Sequence, residues 1–148
     1  ELQDPQTKAP ALIPIGSAAA RAGRQAGVAA AGSSRVYENI GLRFQYDNIF
    51  STDIICVGLS STTARSFDIE TDVTYLEDST EFAKVALVTD MDGILIGGQV
   101  LASRMGARVA YQIFERIKAG ATLEAQPLLK PRHQRLKEQL ESTLGPIQ

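Results

Sequence analysis

The sequence predicts an α+β fold, with an antiparallel β-sheet of three to five strands packed against helices. Apolar and alternating stretches typical of strands are clustered between residues 36 and 102, with little helical periodicity among them. Helical patterns are confined to an alanine-rich N-terminal segment and two C-terminal segments. An Asp-Gly step joins two apolar runs, as in a β-hairpin. Strands followed by clustered helices favour an antiparallel sheet over a doubly wound parallel one.

The first helix is predicted from Ala18 to Ala31, where most residues are alanine. Ser17 stands where an N-cap is expected, because its hydroxyl can accept a backbone N–H of the first turn. Gly23 and Gly27 each disfavour a helix by about 1 kcal/mol relative to alanine. They therefore suggest that another backbone approaches this thin helix closely. An alanine-rich helix facing solvent is the alternative.

The strand region contains both alternating and continuous apolar stretches. Ile54–Val57 is a continuous apolar run that predicts a buried strand. Ile69–Tyr75 alternates, which places Tyr75 on a strand face in a packing role. Gly97 and Gly98 interrupt the last run and predict a bulge or a close backbone approach. The remaining strand candidates are Val36, Ile40, Leu42, Phe44 and Tyr46, followed by Val85–Val88 and Ile94–Ala102, the last two joined through Asp90-Met91-Asp92-Gly93.

Two helices are predicted at the C-terminal end. The first follows from apolar residues at every fourth position, and Gly120 is expected to end it as the C′ residue. A second amphipathic helix follows Pro131. The periodic residues are Leu101, Met105, Val109, Ile113 and Ile117 in the first, and Leu136, Leu140 and Leu144 in the second.

Composition excludes several classes of function. The 148 residues carry a net charge of −2, which gives no electrostatic footprint for nucleic acid or for an anionic membrane. No apolar run approaches the roughly 18 residues of a membrane-spanning helix. The single cysteine excludes an intrachain disulfide and suits a reducing cytoplasm. The chain starts with Glu1 rather than methionine, in a polar, proline-broken stretch, which suggests that it was cut from a longer protein.

Candidate catalytic residues are few. His133, the one histidine, lies at the start of a charged segment and is expected to be exposed. Cys56 lies in an apolar strand, where cysteine usually acts as a small hydrophobe. Asp90 and Asp92 flank a turn and are too few for a calcium loop. No metal site is expected, and neither GxGxxG nor GxxxxGK[ST] occurs. The residues alone therefore indicate an α+β domain without a visible active site.

Two interpretations from other functional classes remain open. A free-standing small-molecule-binding or regulatory module would have the same fold, and it predicts a pocket with converging polar groups. A stand-alone enzyme is disfavoured by the single histidine and single cysteine, although carboxylate chemistry stays possible.

Three stretches resemble the C-terminal region of FAD-dependent pyridine nucleotide–disulfide oxidoreductases, of the NADH oxidase and coenzyme A–disulfide reductase type. Pro14–Gly27 (PIGSAAARAGRQAG) resembles the helix that closes the family's flavin domain, roughly PLGSTANKQGRVAG. Phe50–Ser60 (FSTDIICVGLS) is similar to FTxPEIAxVGLT, which opens the dimerisation domain. Gly93–Val100 (GILIGGQV) resembles GRILGAQV, and Ala119–Glu124 (AGATLE) then resembles AGxTVEDL. The resemblance covers roughly Leu12 to Ala125.

This resemblance implies a role for each part of the chain. Residues 1–32 would end the flavin domain as a strand plus the closing helix, 33–126 would form the dimerisation domain, and 127–148 a helical extension. The backbone of Ala19 and Ala20 would face one edge of the flavin, although Ala20 and Arg21 replace the family's Asn and Lys. The chain would form a homodimer, alongside upstream FAD and NAD(P)H domains of a cytoplasmic parent oxidoreductase.

The same resemblance indicates what the chain lacks. The dinucleotide-binding glycines and the redox cysteine would lie upstream, so no catalytic residue and no bound cofactor are expected in this chain alone. The family's HPTxxE motif is absent after Glu124, and Tyr75 is the nearest candidate for the tyrosine that some members extend into the partner's site. The dimer contact is therefore expected to be structural.

Overall fold

The computed structural model describes residues 2–34, 41–78, 82–103 and 105–123. The predicted helix after Pro131, His133, and the strand candidates Val36 and Ile40 lie outside these residues. The chain divides into two compact units, one up to Arg43 and one from Phe44 onward. The α+β class with an antiparallel sheet is confirmed.

The first unit contains a short ladder and one helix. Strands β1 (Leu2–Gln3) and β2 (Pro10–Ala11) pair antiparallel. The Asp4 carboxylate stabilises the turn between them by accepting the N–H groups of Gln6 and Thr7 at 2.8 and 3.2 Å. Where the resemblance implies a strand before the closing helix, the structure has the two-residue strand β2.

Helix α1 (Gly16–Ala30) begins two residues earlier than the sequence predicts. Ile15 is its N-cap in an extended conformation, and no side chain caps the helix, so the prediction of Ser17 as the N-cap is wrong. An N-cap preference is about 1 kcal/mol, which local backbone geometry readily overrides. The helix ends at Ala30 with Ala31 as its C-cap, and Gly32 follows with φ +78°, a value that glycine adopts without strain.

The second unit is built on one five-stranded antiparallel sheet in the order β3-β4-β7-β6-β5. The central strand is therefore β7, which comes last of the five along the chain. The strands are β3 (Phe44–Ile49), β4 (Thr52–Gly58), β5 (Thr71–Asp78), β6 (Ala83–Asp90) and β7 (Leu95–Ala102).

The hairpin predicted at the Asp-Gly step is confirmed between β6 and β7. Gly93 has φ +77°, and the Asp90 N–H donates to the carbonyl of Ile94 at 3.0 Å. The Asp90 carboxylate accepts the N–H groups of Asp92 and Ile94 at 3.0 and 2.9 Å, which confirms its role in forming the turn. A β-bulge follows, because Val88 pairs with Gly97 while Thr89 pairs with Leu95.

Helix α3 (Gly106–Ala119) packs on one face of this sheet and closes the core of the unit. Its buried residues are Gly106, Val109, Ala110, Ile113 and Ile117. They meet the buried side chains of the sheet, which include Ile55, Val57, Val85, Leu87 and Val100. Gly120 ends the helix in the left-handed region with φ 62°, as predicted.

The prediction that Leu101 and Met105 belong to this helix is wrong. Leu101 lies in β7, and Met105 is the N-cap of α3 with φ +59°. A four-residue spacing matches one helical turn, but it also places two residues on the same face of a strand. The spacing alone therefore cannot locate the junction between β7 and α3.

A crossover connects β4 to the opposite edge strand β5. It contains α2 (Ser61–Arg65), whose N-cap Ser60 accepts the N–H of Thr63 at 3.0 Å. A Cβ on Gly97 would meet the backbone carbonyl of Leu59, which confirms the predicted close approach at this glycine. A Cβ on the next residue, Gly98, would instead meet Ile113 of α3. The crossover thus lies on the sheet face opposite α3.

Candidate functional site

The predicted flavin-facing residues lie at the start of α1. Ala19 and Ala20 are both exposed, whereas Ala18 is buried. The Ala19 N–H already donates to the carbonyl of Ile15 at 3.0 Å. The first-turn amides for which the helix supplies no acceptor are therefore those of Gly16, Ser17 and Ala18.

The chemistry of this helix end fits a negatively charged group. The first turn contains no acidic residue, and the helix dipole places partial positive charge there. The fit rests on backbone groups, so the alanines at positions 19 and 20 do not oppose it. The contact between Ala19, Ala20 and a flavin stays a prediction.

The glycines of α1 present bare backbone. Among the described residues, no atom outside the helix backbone and the adjoining residues lies within 4 Å of a Cβ built on Gly23 or Gly27. Most of the exposed residues of this helix are alanine or glycine. The close approach that these glycines suggest thus has no counterpart among the described residues.

A polar cluster around Asp53 joins the sheet to α3. The Asp53 carboxylate accepts the Tyr46 hydroxyl at 2.9 Å and the Asn48 amide at 2.8 Å through one oxygen. Its other oxygen accepts the Gly106 N–H at 3.0 Å. A carboxylate from β4 therefore caps a helix whose own N-cap residue supplies no side-chain acceptor.

The hydrogen bonds of this cluster set its titration behaviour. Burial alone raises the pKa of Asp53, but bonds donated by Asn48, Tyr46 and the amides of Gly106 and Ala107 outweigh it and hold the pKa below its usual range. The same hydrogen bond to Asp53 raises the pKa of the Tyr46 hydroxyl, with smaller contributions from burial and the Asp53 charge. The cluster stabilises the fold and contains no group poised for acid–base chemistry at neutral pH.

Sequence reasoning did not identify this cluster. Asp53 and Gly106 are 53 residues apart, and their contact depends on the register of β4 against α3. The available signal was the alternation of Tyr46 and Asn48 on β3, which places both on the face that Asp53 shares.

We call the sheet face that points away from α3 the open face. Outside the end covered by the crossover, its residues include Ile54, Cys56, Tyr75, Ala86, Gln99 and Leu101, and they form the floor of a cavity of about 610 Å³. Glu77 and Lys84 form an ion pair beside it at 3.1 Å.

Two expectations about this face are wrong for the chain as it stands. Cys56 is exposed, because the β4 side chains alternate and only Ile55 and Val57 are fully buried. Tyr75 is 80% exposed and therefore does not pack against this chain. Both side chains point away from the α3 core through the regular alternation of their strands.

The described residues form neither a metal centre nor a membrane-spanning helix. Within the ranges that the structure describes, no group of three or more His, Cys, Asp or Glu side chains is arranged to hold a metal ion. In the same ranges, no helix has both the length and the apolar character needed to cross a bilayer.

Solved structures share this fold, although no protein-family model and no curated protein matches the sequence. An NAD-dependent persulfide reductase from A. fulgidus superposes with a TM-score of 0.77 at 16% identity, covering 95% of this chain and 30% of its own. A FAD-dependent pyridine nucleotide-disulphide oxidoreductase from Desulfovibrio vulgaris gives 0.73 at 19%, covering 83% and 31%. A water-forming NADH oxidase from Lactobacillus brevis gives 0.72 at 19%, covering 93% and 33%.

These similarities establish the fold of the chain. The chain spans about 30% of the length of the structures it resembles. The structures with this fold include oxidoreductases that use FAD or pyridine nucleotides.

Proposed function

We propose that this chain is the dimerisation region, together with one edge of the flavin site, of an FAD-dependent NAD(P)H oxidoreductase. The observation that carries the proposal is the superposition of 95% of the chain on 30% of an NAD-dependent persulfide reductase. The order and spacing of the three sequence stretches, from Pro14 to Glu124, support the same assignment.

The chain contributes structure to this function and no reacting side chain. FAD, when bound, supplies the electron-transfer chemistry. The first turn of α1, near Ala19 and Ala20, orients backbone N–H groups and partial positive charge toward one edge of the ring. The second unit, with its sheet and α3, supplies the surface on which two copies associate. Substrate binding and hydride transfer belong to domains upstream of this chain, in a cytoplasmic parent protein.

The isolated chain is expected to be colourless, because one edge of a flavin site cannot retain the cofactor. The test is to express the native open reading frame that contains this sequence and to compare its product with the 148-residue chain. We expect a yellow protein that contains FAD and oxidises NADH or NADPH. A native frame that begins near residue 1, or stoichiometric flavin on the short chain, would contradict the proposal.

Hydrogen exchange gives a second test of the role of α1. Only Ala18 of this helix is buried, whereas β6 and β7 are buried along most of their length. We expect α1 to exchange fastest among the long elements in the isolated chain and to become protected in the flavin-containing protein. Slow exchange of α1 in the short chain would contradict the proposal that a partner domain protects this helix.

A further inference from the structure

The open face is apolar in sequence although much of it is exposed. A sheet covered on one face shows alternating apolar and polar residues, whereas a sheet covered on both faces shows continuous apolar runs. The three central strands contain continuous runs, at Ile54–Val57, Val85–Val88 and Val100–Ala102. Helix α3 covers only one of the two faces. The sequence of these strands is therefore that of a sheet with a second covering layer.

The crossover supplies that layer at one end only. The Leu59 carbonyl lies against Gly97, and Val88, which shares this face, is fully buried. Toward the other end of the strands, Ile54 is 38% exposed and Cys56 is exposed as well. Among the described residues, this end of the open face therefore has no covering layer. We call it the uncovered half, and its residues on the three central strands are Ile54, Cys56, Ala86, Gln99 and Leu101.

The uncovered half is small. Its three strands lie about 4.8 Å apart, and about five residues of each at about 3.4 Å per residue give an area of roughly 240 Å². A specific interface between two separate proteins buries about 800 Å² on each partner. A helix of about 13 residues is about 20 Å long and about 10 Å wide, so it covers roughly 200 Å². The uncovered half therefore fits a single short helix better than a separate protein.

The C-terminal part of the sequence contains a helix of this size. It lies outside the described residues, and its sequence places Leu136, Leu140 and Leu144 at every fourth position. In a helix these leucines form one stripe about 12 Å long, close to the width of roughly 14 Å of three neighbouring strands. Gly145 and Pro146 follow, which is a typical helix end. The stripe needs an apolar surface of the same size to cover it.

The chain leaves the described fold within reach of the uncovered half. Leu123, the last described residue, donates its N–H to the Gly93 carbonyl at 3.3 Å, at the turn between β6 and β7. The path from Gly93 along β7 to Val100 is roughly 24 Å. The linker from Leu123 to Arg132 spans up to roughly 30 Å when extended. A tether of this length gives an effective concentration on the order of millimolar, which offsets the small contact area.

We propose that residues 132–144 form a helix that packs on the uncovered half of the open face of the same chain. The leucine stripe lies against Ile54, Cys56 and Leu101, and it supplies the second layer that the strand sequences indicate. The inference goes beyond the proposed function and does not rest on it, because the helix and the face belong to one chain. The outer surface of α3, where Tyr111 is exposed, remains accessible for association of two copies.

Cys56 reports whether the uncovered half is covered. The rate of maleimide alkylation is measured on the full 148-residue chain, folded and unfolded in urea, over a wide range of protein concentration. We expect the folded chain to react at least about tenfold more slowly at every concentration, because the cover is part of the same molecule. A folded chain that reacts as fast as the unfolded one overturns the proposal. Protection that appears only as the concentration rises also overturns it, since a second copy would then be the cover.

Two matched variants test whether the leucine stripe provides this protection. Leu140→Glu and Ser142→Glu add the same charge to the same segment, but the two positions lie on opposite sides of a helix. Both positions lie outside the sheet and α3, so both variants should keep the fold, which circular dichroism checks. We expect Leu140→Glu to raise the alkylation rate of Cys56 at least about tenfold and Ser142→Glu to change it less than twofold. Equal rates in the two variants overturn the proposal.

Disulfide formation locates the segment directly. Leu136→Cys, Leu140→Cys and Leu144→Cys are made one at a time, with Ser142→Cys as the matched control. Each chain is treated with oxidised glutathione, which takes up the two electrons and two protons that the thiols lose and becomes two molecules of glutathione. We expect at least one leucine position to form an intramolecular disulfide with Cys56 at least about tenfold faster than the control. Equal rates at all four positions, or disulfides that join only separate chains, overturn the proposal.

The outcomes separate this inference from the proposed function. A parent protein that binds FAD, with a Cys56 that the segment does not protect, keeps the proposed function and overturns the inference. A protected Cys56 in a chain whose parent binds no FAD does the reverse.

Discussion

Replacing Asp53 with alanine should destabilise the second unit through a single helix end. The substitution removes the acceptor for the Gly106 N–H while leaving the Cβ in place. Loss of a helix cap costs about 1 kcal/mol, and a buried N–H left without a partner costs about 1–3 kcal/mol. The lost cap and the unpaired N–H are the same event and are counted once. The donors of Tyr46 and Asn48 are on side chains that water can reach, so their loss adds only about 0.5 kcal/mol. We therefore expect the free energy of unfolding to fall by about 1.5–3.5 kcal/mol.

The assay is urea denaturation at neutral pH, with Asp47→Ala as the matched control. Asp47 is an exposed aspartate on β3, and its removal should change the free energy of unfolding by less than about 0.5 kcal/mol. Asp53→Asn should give an intermediate loss, because one oxygen acceptor remains in place of two.

The pH dependence gives the same prediction an independent check. The pKa of Asp53 is lowered in the folded chain, so the unfolded state binds more protons as the solution is acidified. The stabilisation by Asp53 is therefore complete above the unfolded pKa of about 3.9 and is lost as the pH falls through the folded value. The difference in stability between wild type and Asp53→Ala should shrink over that acidic range. A loss below 0.5 kcal/mol at neutral pH, or a difference independent of acidification, would refute the reasoning.

Three further predictions concern Tyr46, two glycines and the turn at Phe50-Ser51. The pKa of Tyr46 is raised in the fold, so its stabilisation persists below the unfolded pKa of about 10 and disappears as the pH rises through the folded value. Alkaline destabilisation should accordingly be weaker in Tyr46→Phe, as measured by unfolding at stepped pH. Gly97→Ala should cost more than about 3 kcal/mol, because its Cβ would overlap the Leu59 carbonyl, whereas Gly23→Ala should stabilise the isolated helix by up to about 1 kcal/mol. Equal thermal shifts for these two glycine variants would contradict the packing described. Converting Phe50-Ser51 to Asn-Gly should stabilise the chain by about 1–2 kcal/mol, because both residues have positive φ and Asn-Gly adopts such turns without strain. A variant whose thermal stability is unchanged or lower would contradict this description of the turn.

Local sequence patterns predicted the helices, strands and turns of this fold better than the contacts between residues distant in the chain. The Asp-Gly hairpin and the C-terminal glycine of α3 each depend on residues adjacent in sequence, and both were predicted. A bulge or close approach at Gly97 was predicted from the glycine alone, but its partner, Leu59, was not, because it is distant in the chain. The start of α3 was not, because the four-residue spacing of Leu101 and Met105 fits both a strand and a helix. The Asp53 cap was missed because its donor is distant in the chain.

For the candidate surfaces too, the sequence predicted local strands and helices but not what covers them. The continuous apolar run Ile54–Val57 predicted a buried strand, but only Ile55 and Val57 are buried while Ile54 and Cys56 are exposed, because the run does not indicate which faces this chain covers. Covering depends on how strands are ordered and where the crossover lies, which are properties of the tertiary fold. Which amides at the start of α1 lack an acceptor likewise depends on the extended conformation of Ile15, the N-cap residue.

The central position of β7 has a consequence for biosynthesis. Before β7 is synthesised, the described strands of the five-stranded sheet can pair only as the β3–β4 and β5–β6 hairpins, and isolated two-stranded hairpins are marginally stable in water. Joining them requires β7 to pair with both β4 and β6, and its partner residues in β4 lie far earlier in the chain, as with Ile55 and Val100. Until that strand leaves the ribosome, the apolar edges of both hairpins remain open to other chains. Nascent chains that end before β7 should therefore depend most on chaperones, and the unit should fold in one step once that strand is complete.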